Sequence, residues 1–97
     1  MSKFIVRLYI VGYTPVARRA IANLEELCKQ PDFDAMYKTE VINLLDNPAL
    51  AEEEQIRATP VLIKKLPEPM QRIIGDLSDH YKVLVGLDIY PGSQAEE

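Results

Sequence analysis

Few residues in this chain of 97 are of a type that makes or breaks bonds. There is one cysteine, Cys28, and one histidine, His80. A lone thiol excludes a disulfide within the chain and a cysteine-rich zinc centre. Cys28 falls on the same helical stripe as Ile21 and Leu24, the place of a buried structural thiol rather than a reactive one. Asp76, Asp79 and His80 could be drawn as a metal or acid–base cluster, but a solvated helix start explains them more simply. The acidic run Glu52-Glu53-Glu54 has no histidine or aspartate with it. It suits the early turns of a helix, where carboxylates meet the positive end of the helix dipole. The four glycines are scattered, so no phosphate-binding glycine loop is present.

Composition narrows the partners. Hydrophobic residues make up 47% and charged residues 27%, as in an ordinary globular domain. A net charge of −4 argues against nucleic acid, whose phosphates need a basic surface. Arg18-Arg19 and Lys64-Lys65 are local pairs that read as solvated edges. No apolar run approaches the ~20 residues of a membrane span. The start Met1-Ser2-Lys3-Phe4-Ile5-Val6-Arg7 lacks the pattern of a signal peptide. The expected place is therefore the cytoplasm, with no membrane partner. One domain is expected over residues 1–91, with a short flexible acidic tail over 92–97.

The elements that would position any site follow from periodicity. Residues 3–11 alternate as a strand. Phe4, Val6, Leu8 and Ile10 lie on one face, and Ile5, Tyr9 and Val11 on the other with Arg7. Both faces are largely apolar, as in a central strand covered on both sides. Thr14 then caps a helix that Pro15 opens and that stops before Pro31, with Ala17, Ala20, Ile21, Leu24, Leu27 and Cys28 at helical spacing. Residues 35–45 read as a second strand, giving a right-handed βαβ unit with parallel strands. Asp46-Asn47-Pro48 starts a further helix, Val61–Lys64 is a short strand, and Leu66-Pro67-Glu68-Pro69 is a turn. Beyond it two patterns compete. In one, Arg72–Gly75 is a strand, and Asp76-Leu77-Ser78 caps a helix running to about Leu87. In the other, residues 70–80 are helical and Val83–Tyr90 is a final strand. A short apolar run fits either period.

A strand, a proline-opened helix, a parallel strand and then Thr59-Pro60 before the next strand resemble the thioredoxin fold. That family carries Cys-x-x-Cys in the loop after the first strand, where the helix N-terminus makes the thiolate. Its Thr-Pro bond is usually cis and faces those cysteines. The matching loop here, Gly12-Tyr13-Thr14-Pro15-Val16-Ala17, has no cysteine. Thiol–disulfide exchange needs a thiolate, so it is excluded at this place. The chain is not expected to be an enzyme or to hold a cofactor or metal.

The second half narrows the family. Leu66-Pro67-Glu68-Pro69, Arg72-Ile73-Ile74-Gly75-Asp76-Leu77-Ser78 and Lys82-Val83-Leu84-Val85-Gly86-Leu87-Asp88 resemble the KaiB family of the bacterial circadian system. Leu8–Gly12, Thr14-Pro15, Val41-Ile42, Asn47–Glu53 and Ala58-Thr59-Pro60 agree. The resemblance covers roughly residues 4–90. It implies an α/β fold: a thioredoxin-like βαβ first half and a KaiB-type second half. The ground state of that second half, βαββααβ over the whole chain, ends in a strand and assembles as a tetramer. The rarer thioredoxin-like state is a monomer that binds the N-terminal ATPase domain of KaiC and then captures KaiA. A homo-oligomer, tetramer or dimer, is thus implied, with a KaiC-like ATPase and a KaiA-like or histidine-kinase protein as partners. Mass action makes the assembled ground state the form expected at high concentration.

By the same resemblance Arg19, Glu40 and Gln55 stand at partner-binding positions, and Pro60, Pro67, Pro69, Gly86 and Asp88 at positions that tune the fold switch. Arg19 is kept, whereas clock-type members often carry lysine where this chain has Glu40 and Gln55. Many carry a further proline where it has Glu68, and a longer acidic tail. These departures leave a second function open: a divergent KaiB-like protein that acts outside an oscillator, as in stress adaptation, through another partner.

Overall fold

A computed structural model describes residues 3–88. The tail expected over 92–97 and the end of the domain expected over 1–91 lie outside the described residues. The chain begins with strand β1 (Phe4–Ile10) and helix α1 (Pro15–Leu27). The Thr14 hydroxyl accepts from the Ala17 amide at 3.2 Å, the cap expected from the sequence. A short helix α2 (Pro31–Met36) follows and leads directly into strand β2 (Tyr37–Asn43). The strand expected from residue 35 therefore begins two residues later. Pro31 at the first helical position and Asp32 and Asp34 in the first turn favour a helix there, and Phe33 anchors it in the core.

Helix α3 (Ala49–Glu53) is a single turn. The acidic run does not lie in the early turns of a longer helix, as expected: Glu54 already caps the C-terminal end. Gln55, at φ 54°, leaves the helical region and ends it. Strands β3 (Val61–Lys64) and β4 (Gln71–Ile74) and helix α4 (His80–Gly86) complete the described chain. The sheet order is β2-β1-β3-β4. β1 runs parallel to β2 from the pair Phe4 with Tyr37 to the pair Ile10 with Asn43. β3 is antiparallel to both its neighbours.

The second half thus takes the thioredoxin-like arrangement, with β4 and α4 where the ground-state order would differ. Between the two patterns open in the sequence, the strand at 71–74 followed by a helix prevails. The reason is burial. As a helix, residues 83, 84 and 87 point one way, and Val83, Leu84 and Leu87 are all buried in the main cluster with Val6, Leu8, Leu24 and Leu62. Each such side chain contributes roughly 1.5–3 kcal/mol. The outward Tyr81 is 71% exposed. Asp79, not the Asp76–Ser78 segment, is the N-cap, its carboxylate accepting from the Lys82 amide at 3.1 Å.

The two faces of the sheet are covered unequally. Val6, Leu8 and Ile10 face α1, α2 and α4 in the main cluster. Tyr9, Val61 and Ile63 on the other face cluster with Leu50 and Ala51 of α3 and the nearby Ile42, Leu44 and Ile56. β1 is central, as expected, but its second face is covered at one end only. Among the described residues no helix is long and apolar enough to cross a membrane.

Candidate functional site

At the start of α1, where a redox protein would hold its thiols, this structure has a small cavity of about 220 Å3 bounded by Ile10, Val11, Thr14, Val16, Ala17, Thr59 and Pro60. No sulfur lines it. Cys28 sits at the far end of α1, about 20 Å away at 1.5 Å per residue, with its Sγ 3.7 Å from the Thr39 hydroxyl. Thr59-Pro60, Leu66-Pro67 and Glu68-Pro69 are all cis. The Pro60 carbonyl accepts from the Gly75 amide at 2.9 Å, which ties the entry of β3 to the exit of β4. Pro67 and Pro69 lie in the β3–β4 turn.

Arg19, Glu40 and Gln55 occupy three different elements, and each has a separate partner. Arg19, on α1, reaches Asp76 with Nε at 3.4 Å from Oδ2. The same aspartate accepts from the Ser78 amide at 3.0 Å, and its carbonyl accepts from the Asn23 side chain at 2.7 Å. The Ser78 hydrogen bonds, with Arg19 behind them, hold the Asp76 carboxyl below the usual carboxylate range. Glu40, on β2, lies opposite Arg7 in the parallel register and accepts from its Nε at 2.8 Å. That bond outweighs desolvation and raises the Arg7 pKa. Gln55 follows α3, and its carbonyl and that of Glu54 accept from the Arg72 guanidinium at 3.3 and 2.6 Å. The Glu54 carboxylate also meets Lys65 at 2.8 Å.

Gly86 and Asp88, by contrast, come together at the end of α4. A Cβ at Gly86 would stand 3.1 Å from Ile73 Cδ1, so the missing side chain lets the helix lie close on β4. Asp88, at φ 62°, places Oδ2 3.7 Å from Lys64 Nζ. Lys64 is 1% exposed. The solvated edge expected for Lys64-Lys65 therefore holds for Lys65 and fails for Lys64. The Tyr37 hydroxyl donates to the Leu87 carbonyl at 3.3 Å. Burial, with the charge of Asp88 nearby, raises the Tyr37 pKa.

The candidate cluster near His80 does not form. The Asp76 and Asp79 carboxylates are each occupied by a local amide, those of Ser78 and Lys82. Among the described residues no group of three possible metal ligands occurs. Sequence reasoning missed Asn23, Lys64 and Arg72 as the groups that fasten the second half. Their partners are distant in sequence, and the burial of Lys64 in an apolar strand was the one local signal.

Fold and site define a thioredoxin-like α/β protein whose redox position is empty of thiol. Solved structures agree on the fold. The N-terminal domain of SasA from Synechococcus elongatus matches with a TM-score of 0.71 at 23% identity, over 91% of this chain and 86% of that one. The germline-specific thioredoxin Deadhead of Drosophila melanogaster matches at 0.68 and 14%, over 89% and 79%. Residues 7–89 match the KaiB domain, and the chain belongs to the KaiB family. It is 50% identical over 91 residues to the circadian clock protein KaiB3 of a Synechocystis species, covering 94% of this chain and 88% of the relative. It is 52% identical over 86 residues to the circadian clock oscillator protein KaiB of Prochlorococcus marinus, covering 89% and 73%. These relatives are named as clock proteins, not as enzymes.

Proposed function

We propose that this chain is a non-enzymatic regulator that binds a KaiC-type ATPase in the arrangement seen here and alters its phosphorylation cycle. The observation that carries this reading is the second half. Gly86 and Asp88 seat α4 on β4 and against Lys64, so residues 71–88 stand in the state that the family resemblance associates with KaiC binding. In this reading Arg19, Glu40 and Gln55 contribute to the partner surface, and Pro60, Pro67, Pro69, Gly86 and Asp88 govern the balance with a tetrameric ground state. The protein acts in the cytoplasm.

Glu40 stands where a lysine is common in clock-type members, and like charges across an interface cost several kcal/mol. Here, however, its carboxylate is paired with Arg7 at 2.8 Å, so part of its charge is already answered within the chain. The test is size-exclusion chromatography and native mass spectrometry after a day of incubation with the KaiC-type ATPase of the same organism. A stable complex is expected, with a changed rate of KaiC phosphorylation. No complex, under conditions where a clock-type KaiB binds, defeats the reading.

Glu40 and Gln55 also favour a second reading, a divergent member serving stress adaptation through another partner. Glu40→Lys with Gln55→Lys separates the two. A gain in KaiC affinity supports the first, and no gain supports the second.

A further inference from the structure

The half of the second sheet face that α3 leaves open is not flat. Between the start of β1 and the end of β3 lies a cavity of about 300 Å3. Its floor is made by Tyr9 and Ile63, 1% and 3% exposed. Its sides are Ile5 and Leu66, both exposed apolar residues. Phe4, Lys3, Arg7 and Lys65 complete the lining, which holds no carboxylate. In a chain of net charge −4 the lining itself thus carries charge of one sign only. The acids that answer these cations, Asp34, Glu40 and Glu54, all stand outside the lining. Glu40 engages Arg7 through Nε and the Tyr9 side chain is a further hydrogen-bond partner; a guanidinium has five N–H donors, so capacity remains for one more acceptor. The Lys65 ammonium carries three donors; both Glu54 carboxylate oxygens lie 2.8 Å from it, which leaves one donor for a further acceptor.

An apolar floor with a one-signed cationic rim recognises a molecule with an apolar body and an anionic head. The volume is at the lower end of the range for small-molecule pockets, about 300–1,000 Å3, and smaller than a packed helix needs. We propose that this cavity binds a small amphipathic carboxylate. Its chain lies on Tyr9 and Ile63 between Ile5 and Leu66, and its head is directed to Arg7 and Lys65. The site is independent of the KaiC-facing reading and is tested without any partner protein.

The probe is decanoate, below its micelle concentration, titrated into the full 15N-labelled chain. Saturable one-to-one binding is expected, with a Kd of about 0.05–1 mM for a ligand of this size. The amide shifts are expected to be confined to residues around Ile5, Arg7, Ile63 and Lys65. Lys65→Gln is expected to weaken binding about 3–10-fold by removing a charge-assisted contact. Ile5→Glu places a carboxylate on the exposed wall and is expected to weaken it more than about 10-fold. Leu66→Gln, at an exposed turn position, repeats the test should Ile5→Glu lose the native amide spectrum. Decyltrimethylammonium, with the same chain and the opposite charge, is expected not to bind.

Binding of that cation as tight as decanoate overturns the proposal. So does scattered, unsaturable shifting, or undiminished binding by both wall variants. Retention on phosphatidylglycerol vesicles without binding of free decanoate would assign the face to a membrane and overturn it as well.

Discussion

The unit from β1 to β2 and the unit from β3 to α4 are held closed by different forces. In the first, two seven-residue strands run in register along their whole length, and Ala17, Ala20, Leu24 and Leu27 of α1 cover them. Its closure is largely apolar, with Arg7–Glu40 and Gly12–Asn43 as polar ties between its two ends. In the second, strands of four residues carry a seven-residue helix. Polar ties do much of the joining: Arg19 and Asn23 to Asp76, Arg72 to the carbonyls after α3, Tyr37 to Leu87 and Lys64 to Asp88. Apolar closure tolerates exchanges that conserve volume and shape, and is lost when volume is removed. Closure by directed contacts depends on single groups. A second half fastened in this way should respond to single substitutions more locally than the first.

That contrast can be broken at its strongest point first. Leu24 is 2% exposed in the main cluster. Leu24→Ala should cost about 2–5 kcal/mol, a large share of the roughly 5–15 kcal/mol that holds such a domain together. Urea unfolding read by circular dichroism would show it, with amide exchange accelerated in both halves alike. If only α4 lost protection, the idea that α1 closes the whole core would be wrong.

A smaller and more local effect is expected at Asp88. Asp88→Asn keeps a residue tolerant of positive φ and removes the charge facing the buried Lys64. Breaking a fully buried pair costs about 3–5 kcal/mol. Because the Asp88 side chain is 48% exposed, about 1–2 kcal/mol is expected. Hydrogen exchange should show the loss at residues 80–87 with β1 and β2 unchanged. Equal loss in both units would erase the distinction between them.

The smallest effect is that of Asp76. Its folded pKa is depressed, so its stabilising contribution is present above the ordinary carboxylate pKa and is lost as pH falls through the lower, folded value. Thermal midpoints of the wild type should therefore decline below about pH 4 more steeply than those of Asp76→Asn. Parallel curves would show that the Arg19–Asp76–Ser78 tie carries no pH-dependent stability.

How much of this was legible in the sequence follows the same division. Thr14, Pro15 and the apolar stripe specify α1 within a few residues of one another, and its bounds agree closely with that pattern. α2 was overlooked although Pro31, Asp32 and Asp34 announce a helix start, because the apolar residues around it also suit a strand. Residues 70–90 stay open in the sequence for a physical reason: short apolar runs such as Val83-Leu84-Val85 satisfy either period. The choice rests on where Leu87 and Val83 find a core built by residues far away. The resemblance singled out Arg19, Glu40, Gln55, Gly86 and Asp88. Their partners Asp76, Arg7, Arg72, Ile73 and Lys64 are at positions that only the folded chain brings near.

The outer side of β2 has a consequence of its own. β2 is seven residues long and stands at the end of the sheet order, so one row of its amides and carbonyls has no strand beside it among the described elements. Such a border is a template on which further copies could stack without limit. Lys38, which is exposed, and the half-buried Glu40 interrupt it with charges of both signs, and charge is the usual guard against open-ended growth. The exposed charge of Lys38 then has a meaning separate from any partner: a second copy laid along this bare border would have to accommodate it.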